Sequence, residues 1–404
     1  MLLATGVLAG VGLFAGFLYR HFYLSSDAPC SKSEADKKRG ESKRSKKKRR
    51  EKSSTSPKPQ IDRGSTCQTE ELQLLKQTLH DNEQRLGPNH PSTLVTMGKL
   101  ANINVQMGQY QAALSMFQQM LPMQEEHLGP KHPDTLTTLG NLANLYTQMG
   151  RLSDALQLCQ RALTGMRERL GPKHHDTLTS LANLGLLHKS MGRYQDALQI
   201  YQEVLTMRDE CLGPKHADTL RIVNNLALLH AEMGDREKAL ELYQRALTGR
   251  EECLGPNHPD TLTTVNNLAL LYAGTGHRQK ALELYQRALV GKEECLGPKH
   301  PDTLTMVNNI ALLQAEMGNH QQALELLQRA LVGREELLGP KHPNTLTTVY
   351  SLANTYTRMG FHRLALGPCQ RAKVGFEECF GAHHPRTKAV QKHLLDLRRT
   401  LGLN

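Results

Sequence analysis

LGPKHPDTLTMVNNIALLQAEMGNHQQALELLQRALVGREEL, residues Leu296 to Leu337, is the unit from which most of the chain is built. Its opening tripeptide Leu-Gly-Pro recurs at Leu86, Leu128, Leu170, Leu212, Leu254, Leu296 and Leu338, and a degenerate copy, Phe-Gly-Ala, begins at Phe380. Every interval is 42 residues, without insertion or deletion. Composition cannot produce such a period, so the period decides the architecture before any single residue is weighed.

Each unit reads as two helices. The first begins at Pro301-Asp302, where proline suits the first turn and the carboxylate meets the positive end of the helix dipole. Val307, Ile310 and Ala311 keep helical spacing up to Gly318. The second runs from about His320, with Ala323, Leu327, Ala330 and Leu331 on one face. It stops at Leu338-Gly339-Pro340, where glycine permits a left-handed cap and proline blocks continuation. Glu325, four residues before Arg329, is placed to pair with it on an exposed face. One such hairpin cannot bury its apolar side alone, so the units must stack.

Leu268-Ala269, Tyr272, Gly276, Ala281, Tyr285 and Ala288 match the small-and-large pattern of tetratricopeptide repeats. The 42-residue spacing and the phrase HPDTL…NNLALLY resemble the repeats of kinesin light chains and nephrocystin-type proteins. The resemblance covers residues 87–380, seven units. It implies an all-α tetratricopeptide superhelical solenoid of helix-turn-helix repeats whose inner groove holds peptides or partner proteins. Kinesin light chains also carry a long heptad segment that pairs with the motor chain, and no such segment precedes the repeats here.

Charge is unevenly placed. Of the formal net charge of +11, the stretch from Cys30 to Gln60 supplies +9, from 13 Lys/Arg against 4 Asp/Glu. The repeats are therefore near neutral and follow a basic linker. Residues 25–64 hold Ser, Lys, Arg, Glu and Pro with almost nothing to bury, which predicts disorder. Before them, MLLATGVLAGVGLFAGFLY (Met1–Tyr19) contains no charge and, at about 1.5 Å per residue, reaches roughly 28 Å as a helix. A cleaved signal peptide would carry positive charge ahead of the apolar run, and a mitochondrial presequence would be amphipathic and arginine-rich. Residues 1–24 are accordingly read as an N-terminal apolar helix acting as a single-pass membrane anchor. Gly6–Gly10 and Gly12–Gly16 have GxxxG spacing, a route to homo-oligomers. KRSKKKRR (Lys43–Arg50) reads as a topology signal that keeps the repeats cytosolic, against a nuclear-import alternative. Without a basic stripe on the repeats, nucleic acid is not an expected partner.

Residues 65–86 should form a capping helix at the start of the stack, and residues 381–404 a closing one with a solvated outer face. Gly367-Pro368 interrupts the second helix of the seventh unit and should kink or fray it.

Candidate chemistry is sparse. Cys211, Cys253, Cys295 and Cys379 share one repeat position, roughly 10 Å apart if helix pairs pack normally, too far for disulfides between them. They read as small, semi-buried residues. His90, His132, His174, His216, His258, His300, His342 and His384 form a ladder before each first helix, too widely spaced to share a metal ion, and belong to the loop and helix start. Glu251-Glu252 and Glu293-Glu294 read as solvated charges near helix ends. No phosphate loop or nucleophile elbow is present, and no enzyme, cofactor or metal is expected. A second ladder is more informative: Asn141, Asn183, Asn225, Asn267 and Asn309 occupy one position of five successive first helices, with Lys99 and Ser351 at the ends. That position precedes the packed Leu-Ala pair and should turn toward the concave side. Asn102, Asn144 and Asn354 lie three residues further along the same face. In the family this position implies contact with the backbone of an extended peptide, and an amide both donates and accepts, as a peptide group requires. Asn141, Asn183, Asn225, Asn267, Asn309, Asn102, Asn144 and Lys99 are the predicted peptide-binding residues, with inter-helix bonding as the alternative role of the amides. The expected function is a membrane-anchored, cytosol-facing scaffold. The alternatives are a soluble kinesin-light-chain-like cargo adaptor and a receptor or tether on the mitochondrial outer membrane.

Overall fold

The structure, a computed structural model, describes residues 63–403, and these residues are helical apart from short turns. The expected membrane anchor (residues 1–24) lies outside them, as does the expected basic linker (residues 25–64) except for its last two residues, which begin the first helix. Helix α1 (Arg63–Leu86) stands at the start of the stack. Seven helix pairs follow: α2 (Pro91–Gln106) with α3 (Tyr110–His127), α4 (Pro133–Gln148) with α5 (Leu152–Leu170), α6 (His175–Ser190) with α7 (Tyr194–Leu212), α8 (Ala217–Met233) with α9 (Arg236–Leu254), α10 (Pro259–Gly274) with α11 (Arg278–Leu296), α12 (Pro301–Glu316) with α13 (His320–Leu338), and α14 (Pro343–Arg358) with α15 (His362–Phe380). Helix α16 (Pro385–Thr400) closes the stack.

The turn between units is built the same way each time. The repeat histidine is the N-cap of the first helix. Its Nδ1 accepts the backbone N–H of the residue two further on, at 3.0 to 3.3 Å in all eight copies. Imidazole here does the work usually given to Ser, Thr, Asp or Asn. One residue beyond, a threonine hydroxyl reaches back to the carbonyl of the Leu-Gly-Pro glycine, as Thr303 Oγ1 does to Gly297 O at 2.8 Å. The same bond recurs at Thr93, Thr135, Thr219, Thr261 and Thr345. Gly297 itself has φ 95° and ψ 160°. The expected left-handed helical cap is thus replaced by positive φ with extended ψ, a region essentially restricted to glycine.

The core is the family of small and large positions. Ala269, Ala281, Ala288 and Tyr285 are buried, with Leu268 and Tyr272 closing the same cluster between successive units. Burying a side chain of this size stabilises by about 1.5–3 kcal/mol, and each unit contributes several. The two helices of a pair approach closely where α11 carries Gly291. A Cβ there would lie 2.7 Å from Leu262 Cδ1 of α10. Gly165, Gly249, Gly333 and Gly375 meet Leu136, Leu220, Leu304 and Leu346 in the same way.

Several local expectations are corrected. Arg329 does not pair with Glu325 on its own helix. It crosses to Glu293 of the preceding unit, while Glu325 takes the Gln321 amide at 3.2 Å. The stacked neighbour offers a carboxylate at the reach of an extended arginine, and the pattern repeats as Arg161–Glu125 and Arg371–Glu335, both at 2.5 Å. The paired glutamates are therefore not simply solvated: Glu251 meets Arg287 of the next unit and Glu252 meets Lys215 in the opening turn of its own unit. Cys211, Cys253 and Cys295 are exposed rather than semi-buried, and only Cys379 is half-buried among that set. Their position lies on the last turn of a second helix, outside the inter-unit seam. Pro368 does not interrupt α15, which has the same 19 residues as the other late second helices. Its missing N–H would have bonded the carbonyl of Leu364, an exposed residue whose carbonyl water can satisfy.

The described chain also meets itself after one superhelical turn. Helix α1 packs on α13, and the Nε2 of His342 lies 3.1 Å from the carbonyl of Gln106, 236 residues away. Phe380 sets its ring 5.8 Å from that of Tyr110.

Replacing Gly291 with alanine isolates the packing constraint. Alanine is the better helix former by about 1 kcal/mol, so an exposed site would gain stability. Here the methyl meets Leu262, and overpacking costs about 1–3 kcal/mol. Thermal melts should show Gly291→Ala to be neutral or destabilised; a raised Tm would contradict the close approach of α10 and α11.

Candidate peptide-binding groove

First helices of adjacent units touch one another, α2 with α4, α4 with α6, α8 with α10 and α12 with α14, whereas successive second helices show no comparable approach. The first helices therefore form the inner wall, and the asparagine column lies on it.

The structure divides that column into two halves. Lys99, Asn102 and Asn183 are exposed, and Asn141, Asn144 and Asn225 are half-buried. No side-chain hydrogen bond within the described residues uses the five amides of this group. Further along, Asn267 is only 2 % exposed. Its Nδ2 donates to Asn224 Oδ1 at 3.3 Å, and its Oδ1 accepts from Asn266 Nδ2 at 3.3 Å. Asn309 Nδ2 then donates to Asn266 Oδ1 at 3.1 Å. The result is an amide chain through α8, α10 and α12. Ser351 stands where the next asparagine would be and turns its hydroxyl back to Thr347 O at 3.1 Å. The chain ends there, with Asn308 Oδ1 buried and without a hydrogen-bond partner. Of the predicted residues, Asn267 and Asn309 thus bond to neighbouring helices, and the other six are exposed or half-buried on the first helices. Asn354, in the same face of α14, is bonded to Tyr350.

The neighbouring column Asn224, Asn266 and Asn308 escaped the sequence reading, although the doubled Asn-Asn at 42-residue intervals was its signal. A column of buried cations escaped it too. Arg208, Arg250, Lys292 and Arg334 are all under 4 % exposed. Arg250 donates to Asp260 O at 2.6 Å and Arg334 to Asn344 O at 2.8 Å, so each clamps the first turn of the following helix. Lys292 instead pairs with the Asp302 carboxylate at 3.2 Å. Asn344 replaces that aspartate beside Arg334, and burial pushes the Arg334 guanidinium down to about 9. These cations are structural, since they are spent on neighbouring backbone, hydroxyl and carboxylate groups.

Among the described residues no group of three or more His, Cys, Asp or Glu side chains is placed to hold a metal ion, and no helix is long and apolar enough to cross a membrane.

A tetratricopeptide repeat profile matches residues 124–168, 134–210, 183–252, 218–294, 279–331 and 302–372, and a second profile of the same description matches 93–134. The chain belongs to the tetratricopeptide repeat family. Among solved structures, this solenoid is similar to a Podosopora anserina protein with nearly identical TPR-like repeats, named as a kinesin light chain. The identity is 26 %, over 51 % of this chain and 97 % of that one, with a TM-score of 0.43. It is also similar in fold to a Rap protein complexed with competence and sporulation factor, at 10 % identity, 84 % and 99 % coverage and a TM-score of 0.52. The Rap conjugation gene regulator of plasmid pLS20, in complex with the Phr* peptide, follows at 15 % identity, 72 % and 77 % coverage and a TM-score of 0.52. No curated protein matches the chain.

The two halves of the asparagine column should respond differently to truncation. Asn267→Ala removes the donor to the buried Asn224 Oδ1, and a buried polar group left unsatisfied costs about 1–3 kcal/mol. Asn183→Ala removes an exposed amide and should stay within about 0.5 kcal/mol of wild type. Chemical denaturation of the two variants side by side checks this; equal stabilities would contradict the division.

Proposed function

We propose that this tetratricopeptide solenoid is a scaffold that captures an extended peptide segment of a partner protein along the open half of its inner wall. Lys99, Asn102, Asn141, Asn144, Asn183 and Asn225 make the contacts in this reading. One observation carries it: five side-chain amides on successive first helices have no side-chain hydrogen bond among the described residues, whereas their counterparts further along do. Successive units stand roughly 10 Å apart. An extended peptide advances about 3.3 Å per residue, so one amide would meet every third peptide group. Such contacts hold backbone and leave side chains unread, which suits a scaffold with several clients. The Rap structures, which share the fold, hold a factor and a peptide respectively, the class of occupant proposed here.

The apolar residues 1–24 and the basic run after them support a form tethered to a membrane with the repeats in the cytosol, the mitochondrial outer membrane being one suitable surface. The second reading is a soluble adaptor like the kinesin light chains, favoured by the repeat spacing. Carbonate extraction of the full chain from cell membranes separates them: retention in the pellet supports the tether, and release supports the adaptor.

The groove itself is tested on peptides selected by the full chain from a random library. Asn183→Ala with Asn225→Ala should weaken the selected peptides at least about tenfold, from about 1 kcal/mol per lost amide, with Tm unchanged. Undiminished binding would move the partner site off the inner wall.

A further inference from the structure

The contact of the solenoid with itself joins two stretches that never meet in an open stack. The turn between α2 and α3 lies against the start of α14. A Cβ on Gly108 would come within 2.7 Å of Pro343 Cδ and 2.9 Å of His342 Cδ2. One unit later, the turn between α4 and α5 lies against the start of α16, where a Cβ on Gly150 would meet His384 Cδ2 at 2.6 Å. The equivalent turn glycines Gly192, Gly234, Gly276, Gly318 and Gly360 have nothing within 4 Å. Phe380, where the other units have leucine, fills the joint, with the His384 ring stacked on it at 4.4 Å.

Two N-cap histidines are therefore in an environment the others do not share. His342 and His384 are 7 % and 6 % exposed, while the side chains of His132, His174, His216 and His258 are 34 to 44 % exposed. The next difference is chemical. At His132, His174, His216 and His258 an aspartate follows two residues later, its carboxylate 3.7 to 3.9 Å from the imidazole Nδ1, ready to compensate a protonated ring. At the joint those residues are Asn344 and Arg386.

We infer that this joint is a proton-sensitive latch: neutral His342, bridging its own helix start to the end of α2, holds the solenoid closed, and its protonation opens the turn while the repeats stay folded. The bridge uses both ring nitrogens. Nδ1 accepts the N–H of Asn344 at 3.0 Å, and Nε2–H donates to Gln106 O at 3.1 Å. A proton on Nδ1 would face that N–H and leave a buried cation beside Arg334. The other charged and titratable groups at the joint do not relieve it. Lys341 is turned to Glu378 at 2.9 Å. Arg386 is itself buried beside His384 and Tyr110, whose hydroxyl is pushed up to about 12. The Cys379 thiol is pushed up to about 11 by burial.

Burial pushes both His342 and His384 down to about 4, against an ordinary value of 6.5. A group lowered in the closed form contributes stability that is complete above pH 6.5 and lost as pH falls toward 4. For His342 alone the closure constant should drop about thirtyfold between pH 7.5 and pH 5.

Hydrogen exchange by mass spectrometry on the full chain reads this out. At pH 7.5, residues 106–110 and 341–344 should be protected beyond the equivalent turns at 190–194 and 299–302. After correction for intrinsic rates, that excess should fall at least about thirtyfold at pH 5, with mid-helix amides of α7 to α11 unchanged. Gly108→Ala with Gly150→Ala should abolish the excess at pH 7.5. Gly192→Ala with Gly234→Ala imposes comparable positive-φ strain in open surroundings and should keep it. His342→Asn retains a capping acceptor that cannot titrate and should shrink the pH step about thirtyfold. Excess protection that persists to pH 5, loss of mid-helix protection at the same pH, a pH step unchanged in His342→Asn, or equal behaviour of the two glycine pairs would each overturn the latch.

Discussion

The structure depends on one turn, repeated eight times. A histidine ring caps the incoming helix and, in six copies, a threonine hydroxyl ties that helix to the glycine that ended the previous one. The glycine takes a backbone conformation that other residues avoid, so the turn has one length and one shape. A residue added or lost there would rotate the next helix by about 100° and carry its apolar face off the seam. An unbroken 42-residue period is the sequence-level trace of that constraint.

Because every turn is equal, each unit adds the same small rotation, and the superhelix follows from the accumulated total. The early first helices leave the inner amides open. Later, α8, α10 and α12 bring their doubled asparagines close enough to bond across helices. One repeating sequence thereby makes an open wall at one end and a sealed one at the other. Small departures from the consensus set the boundary. Ser351 ends the amide chain, Asn344 and Arg386 withhold aspartate from two caps, and Phe380 replaces the leucine that would leave the joint unfilled.

Much of this was legible in the sequence. Helix pairing, the capping segments, the place of the histidines and the small-large core follow from residues within one unit, and local chemistry determines them. The helix-face pairing that was misread reaches across to a neighbouring unit. Arg329 has a carboxylate at helical spacing in Glu325, yet stacking presents Glu293 in a better direction. The asparagine column was identified, but whether an amide meets solvent or a neighbouring helix depends on the distance between first helices, which no single unit encodes. The self-contact was not legible at all. It brings Gln106 to His342 through the sum of several unit rotations, a quantity to which every turn contributes and which none displays.

The central claim is that stability resides in identical neighbour interfaces set by the 42-residue unit. It is tested most directly by comparing two deletions through far-UV circular dichroism during thermal melting. Removing residues 255–296, one whole unit, should leave the helicity per residue unchanged and a cooperative melt, because α9 then meets an equivalent partner in α12. Removing only residues 276–296 leaves α10 without its pair and should lower both helicity and Tm sharply. Equal melts for the two deletions would contradict the account.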